Sequence, residues 1–144
     1  TASYDAESDI EPTGSAIPEL TDELRLALIE QFSGLISQKP PIFSAVKIEG
    51  KRAYHLARKG VAVDIKAREV VIHALSIQAI KPDVWQLDIL CSKGTYIRSI
   101  ANDLGAALAS GGHLSSLRRT MIGEYHIKDG FTIEEHLEQI AAHN

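Results

Sequence analysis

The sequence predicts an α+β fold, and three observations carry that expectation. Residues 84 to 91 alternate apolar and polar at period two, residues 97 to 108 repeat apolar side chains at helical spacing, and Gly or Pro punctuates the stretches between. Length agrees: 144 residues, 44% apolar and 24% charged, suffice for one domain that buries a core without disulfides or metal. Disorder and collagen are excluded.

Taken in order, residues 1 to 19 contain Pro12, Gly14 and Pro18 with scattered acids, the pattern of a strand end and a connecting loop. Thr21 then caps a helix. Asp22 and Glu23 suit the positive end of its dipole, Leu20, Leu24, Leu28 and Phe32 fall near helical spacing, and Gly34 ends it. Pro40 and Pro41 fix φ and bias their predecessors toward extended geometry, so residues 38 to 47 read as an extended arm or loop. Residues 51 to 59 read as a short basic helix stopped by Gly60.

Two strands follow. Val71, Leu75 and Ile77 are expected to share a face of the first; in the second, Trp85, Leu87, Ile89 and Cys91 alternate with Val84, Gln86, Asp88 and Leu90, and Pro82-Asp83 makes the turn between them. Ile97, Ile100, Ala101, Leu104 and Leu108 trace one face of a helix that Gly111-Gly112 closes. Residues 113 to 127 read as another strand pair or a long bent strand. Thr132-Ile133-Glu134-Glu135 is a capping box that opens a C-terminal helix.

The net charge of −4 hides its distribution. Residues 1 to 30 carry −7, residues 39 to 68 carry +6, residues 91 to 128 carry +3 and residues 129 to 144 carry −4. Two basic segments thus lie between acidic ends, and a phosphate backbone senses the local patch rather than the sum. The same segments read equally well as solvated Lys-rich faces.

One cysteine, Cys91, has no partner for an internal disulfide or a thiolate zinc cluster, and the six His never fall at the i, i+4 spacing of a helical metal pair. No metal is expected. No apolar run approaches the ~20 residues that cross a bilayer, and no signal stretch opens the sequence, so the expectation is a soluble, cytoplasmic protein. The chain starts at Thr1 and not Met, which suggests that an upstream part has been removed.

The most informative segment is Cys91-Ser92-Lys93-Gly94-Thr95-Tyr96-Ile97-Arg98, a strand entering a helix through a Gly turn. It is not a P-loop, because Lys93 precedes Gly94. Arg98 falls in the first helical turn, where a cation opposes the dipole at a cost of a few tenths to about 1 kcal/mol. A docked anion would offset that cost, with free N–H groups and Lys93 assisting; alternatively Arg98 reaches solvent or pairs with Asp103. Cys91 reads as a core residue. Tyr96 is a stacking or proton-handling group or half-buried packing, and Leu117-Arg118-Arg119 offers paired guanidinium groups for phosphates or an ordinary surface.

Several blocks together resemble a known family. Gln38-Lys39-Pro40-Pro41, Ser44-Ala45-Val46-Lys47, Gly50, Tyr54, Ala57-Arg58 and Gly60 form the first. Cys91 through Ile100 with Asp103-Leu104-Gly105 form the second, and Leu117-Arg118-Arg119-Thr120 with Gly123 the third. In this order they closely resemble the TruB family of tRNA pseudouridine-55 synthases. Thr1-Ala2-Ser3-Tyr4-Asp5 resembles the family's Thr-x-Thr-x-Asp-x-x-Gly segment, with Ser8 where the pattern has Gly.

The resemblance implies a partial pseudouridine synthase core, a mixed, mainly antiparallel sheet with flanking helices. It implies isomerisation of a uridine in the T-arm loop of tRNA, without cofactor. The family's nucleophilic Asp lies in a Gly-x-Leu-Asp-Pro segment, and a Tyr that stacks on the base lies in a Lys-x-Tyr segment; neither is here. Both are expected upstream of Thr1, so residues 1 to 144 are expected to be the later part of the catalytic domain, inactive alone, with the missing N-terminal part as a partner.

Arg98 resembles the Arg that pairs with the catalytic carboxylate, Tyr96 the Tyr beside the target base, and Leu117 an apolar residue lining the uracil pocket. Residues 38 to 60 resemble an RNA-gripping insertion. Lys39, Lys47, Lys51, Arg52, Arg58, Lys93, Arg118 and Arg119 are expected to meet T-arm phosphates, with Tyr54 as a stacking surface. No separate C-terminal RNA-binding domain is expected after Ile140. Three alternatives stand beside this reading. One is a noncatalytic RNA-binding or tRNA-folding module, another an enzyme using Cys91, which lacks a nearby base. The third is a protein-interaction domain, which would leave Lys93, Arg98, Arg118 and Arg119 without a common purpose.

Overall fold

The computed structural model describes residues 1–44, 47–48, 51–52 and 65–142. The first helix, α1, spans Asp22–Phe32, and the Thr21 hydroxyl accepts from the Leu24 amide at 3.2 Å as the sequence predicts. Gly34, at φ +76°, turns the chain directly into a strand, β1 (Gly34–Gln38). That strand is not foreseen by the sequence reading, which leaves 34 to 37 unassigned and begins an arm at Gln38.

β1 pairs antiparallel with the long β4 (Arg68–Lys81), and β4 pairs antiparallel with β5 (Val84–Cys91), giving the order β1-β4-β5. The strand pairs among the described residues are antiparallel. The one parallel link is an isolated bridge between Asp5 and Leu114.

The alternation in β5 is as predicted, with Trp85, Leu87, Ile89 and Cys91 turned toward the core. In β4 the expected face needs correcting. Val70 and Ile72 are buried near its start and Ile77 near its end, and Val71 is not on their face. Ile72 pairs with Cys91 while Ala74 pairs with Leu90, so His73 is an extra residue that shifts the phase by one. A bulge of this kind leaves no trace in a period-two pattern.

The second helix, α2 (Ile97–Ala107), lays Ile100 and Leu104 into one core with Leu28 and Phe32 of α1 and Ile72 and Ile77 of β4. Ile97 and Leu108 pack at its margin. At about 1.5–3 kcal/mol per buried aliphatic side chain, this cluster holds both helices on the sheet. α2 ends with a reversal in which the Ser110 and Gly111 amides both donate to the Gly105 carbonyl. A Cβ at Gly105 would overlap the Gly111–Gly112 backbone, which explains the glycine inside a helix.

The short basic helix expected over 51 to 59 also needs correcting. Lys51–Arg52 form a strand, β3, paired with β2 (Lys47–Ile48). Only Glu49 and Gly50 separate the two in sequence, the length and composition of a hairpin turn, and that local signal outweighs the basic periodicity. Residues 53 to 59 of the expected helix, and Gly60 that was to stop it, lie outside the described residues.

Beyond Leu114 the chain forms a small hairpin, β6 (Met121–Ile122) with β7 (Tyr125–His126), and a third helix, α3 (Ile133–Ala142). The capping box is present: the Thr132 amide donates to Glu135 at 2.7 Å and the Glu135 amide to the Thr132 hydroxyl at 3.2 Å. Every described residue from 115 onward is exposed.

Candidate active site

The helix start at Tyr96 is where separate parts of the chain converge. Ser92 and Thr95 close the turn before it, the Thr95 hydroxyl donating to the Ser92 carbonyl at 2.8 Å, with Gly94 at φ +85°. The Lys93 side chain stands exposed on this turn. The second residue of α2, Arg98, turns inward and its side chain is 25% exposed.

Its guanidinium is held on three sides. Nη1 donates to the Asp5 carboxylate at 2.9 Å and to the Ser3 carbonyl at 3.3 Å, and Nη2 donates to the Phe43 carbonyl at 3.0 Å. Arg98 therefore pairs with an acid 93 positions away in sequence and not with Asp103, the alternative considered from sequence. Asp103 takes a hydrogen bond from Asn102 at 3.2 Å, and burial pushes its carboxyl above the ordinary value.

Asp5 is itself tightly held. The Ser3 hydroxyl donates to its Oδ1 at 2.5 Å and the Glu7 amide at 3.0 Å. Burial raises the Asp5 carboxyl, but the hydrogen bonds from Ser3, Glu7 and Arg98 together with the Arg98 charge outweigh it and hold the group below the usual range. Ser8 ties the turn together, its hydroxyl 2.7 Å from that of Ser3 and accepting from the Ser3 amide at 3.1 Å. A glycine at position 8 would have neither contact. An acid against the first turn of α2 also suits the dipole that Arg98 opposes.

Tyr96 caps α2 in extended geometry and uses no side-chain cap of its own. Gln38 serves it instead: its Oε1 accepts from the Tyr96 amide at 2.8 Å and its Nε2 donates to the Tyr96 carbonyl at 3.1 Å. Next along, the Ser99 hydroxyl donates to the Lys39 carbonyl at 2.8 Å. The Arg68 guanidinium carbon lies 5.9 Å from the centre of the Tyr96 ring, within cation–π range.

Tyr96 and Arg98 are thus brought together, joined by Asp5 and Gln38, which the sequence reading includes only in the resembling segments and gives no site role, and by Arg68. Leu117, Arg118 and Arg119 are exposed on a separate stretch before the β6–β7 hairpin, Leu117 at 61%. Lys39 is exposed at the base of the arm; Lys47, Lys51 and Arg52 lie on β2 and β3, and Tyr54 and Arg58 fall outside the described residues. Among the described residues no group of three or more His, Cys, Asp or Glu could hold a metal ion, and no helix is long and apolar enough to cross a membrane.

Comparison with known proteins decides the relationship. The family model for the TruB family pseudouridylate synthase N-terminal domain matches residues 1–97, and the tRNA pseudouridylate synthase B C-terminal domain model matches residues 98–144. The chain belongs to the TruB family. TruB relatives named tRNA pseudouridine synthase B include that of Parabacteroides distasonis, 47% identical over 127 residues that cover 86% of this chain and 52% of the relative. The Flavobacterium johnsoniae protein is 44% identical over 133 residues, covering 92% and 58%. The chain therefore spans a little over half the length of these TruB relatives. A chain in the crystal structure of a Cbf5-Nop10-Gar1 complex superposes with a TM-score of 0.57 at 26% identity, covering 79% of this chain and 30% of that one.

Proposed function

We propose that the chain is part of a tRNA pseudouridine-55 synthase, an isomerase that converts a uridine in the T-arm loop of tRNA to pseudouridine without a cofactor. The observation that carries the reading is Arg98, fixed by Asp5 and two carbonyls beside Tyr96, in a family whose relatives are named tRNA pseudouridine synthase B. The isomerisation breaks the N1–C1′ bond of uridine, joins C1′ to C5, and releases the C5 proton to water while N1 takes one up. A base inside a folded RNA loop must first be drawn out of its stack.

In this reading Tyr96 meets the extracted base, Leu117 lines the uracil pocket and Arg98 fixes the nucleophilic carboxylate. A guanidinium has five N–H donors, and the three contacts to Asp5, Ser3 and Phe43 leave capacity for a second carboxylate. None of the aspartates of this chain stands in a Gly-x-Leu-Asp-Pro context, so the nucleophile comes from residues outside these 144, the N-terminal part that completes the site. Asp5, ionised at neutral pH, keeps Arg98 in place while that second acid reacts.

Residues 38 to 60 act as an RNA-gripping insertion, and the whole of 1 to 144 as the later part of the catalytic domain. The β2–β3 register sets Lys47 opposite Arg52, two of the bases expected to contact phosphate. Lys39, Lys51, Arg58, Lys93, Arg118 and Arg119 supply further phosphate contacts, with Tyr54 stacking, and the protein works in the cytoplasm where tRNA is modified.

Tritium release from 5-tritiated uridine in a T-arm stem-loop tests the reading. Release by the complete protein and none by residues 1 to 144 alone is expected. No release by the complete protein would remove the proposed activity, and release by the 144-residue chain would remove the external nucleophile in favour of an acid of this chain.

A further inference from the structure

Gln38 is 1% exposed, an amide side chain buried at the end of β1. Burying an amide is costly unless both its polar atoms are matched, and an aliphatic side chain would fill the same space without that demand. Both atoms of this amide are spent on one residue, accepting from the Tyr96 N–H at 2.8 Å and donating to the Tyr96 carbonyl at 3.1 Å. The Tyr96 carbonyl also accepts the first helical bond, from the Ile100 amide at 3.2 Å, so Gln38 reaches the point where α2 begins.

The side-chain amide thus behaves as one extra peptide group of a strand laid against Tyr96. It holds that residue at φ −96° and ψ 106°, extended, immediately before the helix, and so fixes the direction in which the ring leaves the backbone. The ring itself has Arg68 over it at 5.9 Å, and Arg68 is the register partner of Gln38 across the β1–β4 pair. One rung of the sheet therefore controls both ends of the tyrosine. Shortening the side chain to Asn would withdraw the amide by a methylene, and a Glu carboxylate would keep the acceptor and lose the donor.

We propose that Gln38 is a positioning residue for Tyr96, setting the ring against the target base before RNA binds; the proposal rests on the reading that Tyr96 meets that base. Preorganisation of this kind acts on the reaction rate and leaves RNA affinity, which comes from phosphate contacts elsewhere, unchanged.

The test uses the complete protein with Gln38→Met, which keeps volume and removes both hydrogen bonds, and Gln38→Glu, which keeps one. Single-turnover pseudouridine formation should fall about tenfold in Gln38→Met and less in Gln38→Glu, with the RNA dissociation constant within about twofold of the parent. The Gln38→Met effect should vanish in a Tyr96→Ala background, as it must if Gln38 acts through that ring. Amide hydrogen exchange at Tyr96 should be faster in Gln38→Met. A rate unchanged by Gln38→Met, a loss entirely in affinity, or an equal loss in the Tyr96→Ala background would overturn the proposal. An unsubstituted protein that makes no pseudouridine would instead overturn the functional reading, and Tyr96 amide exchange would still decide whether Gln38 holds the residue.

Discussion

Tyr96-Ile97-Arg98 and Leu117-Arg118-Arg119 have similar chemistry, an aromatic or apolar group beside guanidinium, and opposite physical settings. Arg98 donates to a carboxylate and two carbonyls drawn from residues 3, 5 and 43, and Tyr96 is clasped by a buried Gln. Leu117, Arg118 and Arg119 stand in solvent on a stretch where every described residue is exposed. A group that must meet a reacting atom gains from being fixed beforehand, whereas a group that grips a phosphate works as well on a mobile tether. On the proposed reading the held set serves the chemistry and Arg118 and Arg119 serve grip, while Leu117 meets the uracil from the exposed stretch.

The largest expected effect comes from breaking the held half at Asp5. Asp5→Asn keeps the shape, removes the charge, and should lower single-turnover pseudouridine formation about 100-fold by loosening Arg98. It should also cost about 2 kcal/mol of stability at pH 7, the scale of a hydrogen bond to a charged group, read by urea denaturation. The sign with pH is fixed. Because the folded Asp5 carboxyl lies below its unfolded value of about 3.9, its contribution is complete above that value and is lost as pH falls through the folded one. The gap between parent and variant should therefore be constant above about pH 5 and close in stronger acid.

An intermediate effect is expected in the exposed half. Arg118→Ala and Arg119→Ala should each weaken T-arm RNA binding several-fold and reduce the salt slope by about one, leaving the single-turnover rate of bound RNA unchanged. A rate loss as large as that of Asp5→Asn would place these arginines with the chemistry and erase the contrast.

Much of this was legible beforehand, and the rest was hidden for identifiable reasons. α1, β5, α2 and both helix caps follow from short-range periodicity and capping chemistry, which a linear sequence displays. The bulge at His73 flips a face without changing composition, and the basic neighbours of Lys51–Arg52 mimic a helix and hide the strand. The place of Arg98 at a helix start is unfavourable, a signal that demands an anion without naming Asp5, because a separation of 93 residues carries no local pattern. Gln38 did leave a trace: it follows Ile36 at strand spacing on the inward face, and an inward polar residue implies a buried partner.

The smallest effects should come from the two helix caps, which extend the same contrast to stability. Thr21→Ala should cost about 1 kcal/mol in urea denaturation, because α1 is packed into the core. Thr132→Ala should leave the global transition within a few tenths of a kcal/mol, because α3 buries no residue and can fray alone.

Arg98 is proposed as a fixed part of a pseudouridine synthase site, and Arg98→Lys in the complete protein tests that role most directly. Lysine keeps the charge and loses the fork that serves Asp5, Ser3, Phe43 and a second carboxylate at once. Single-turnover tritium release from a T-arm stem-loop should fall by two orders of magnitude or about that, with the RNA dissociation constant unchanged. Activity retained within twofold of the parent would contradict the account.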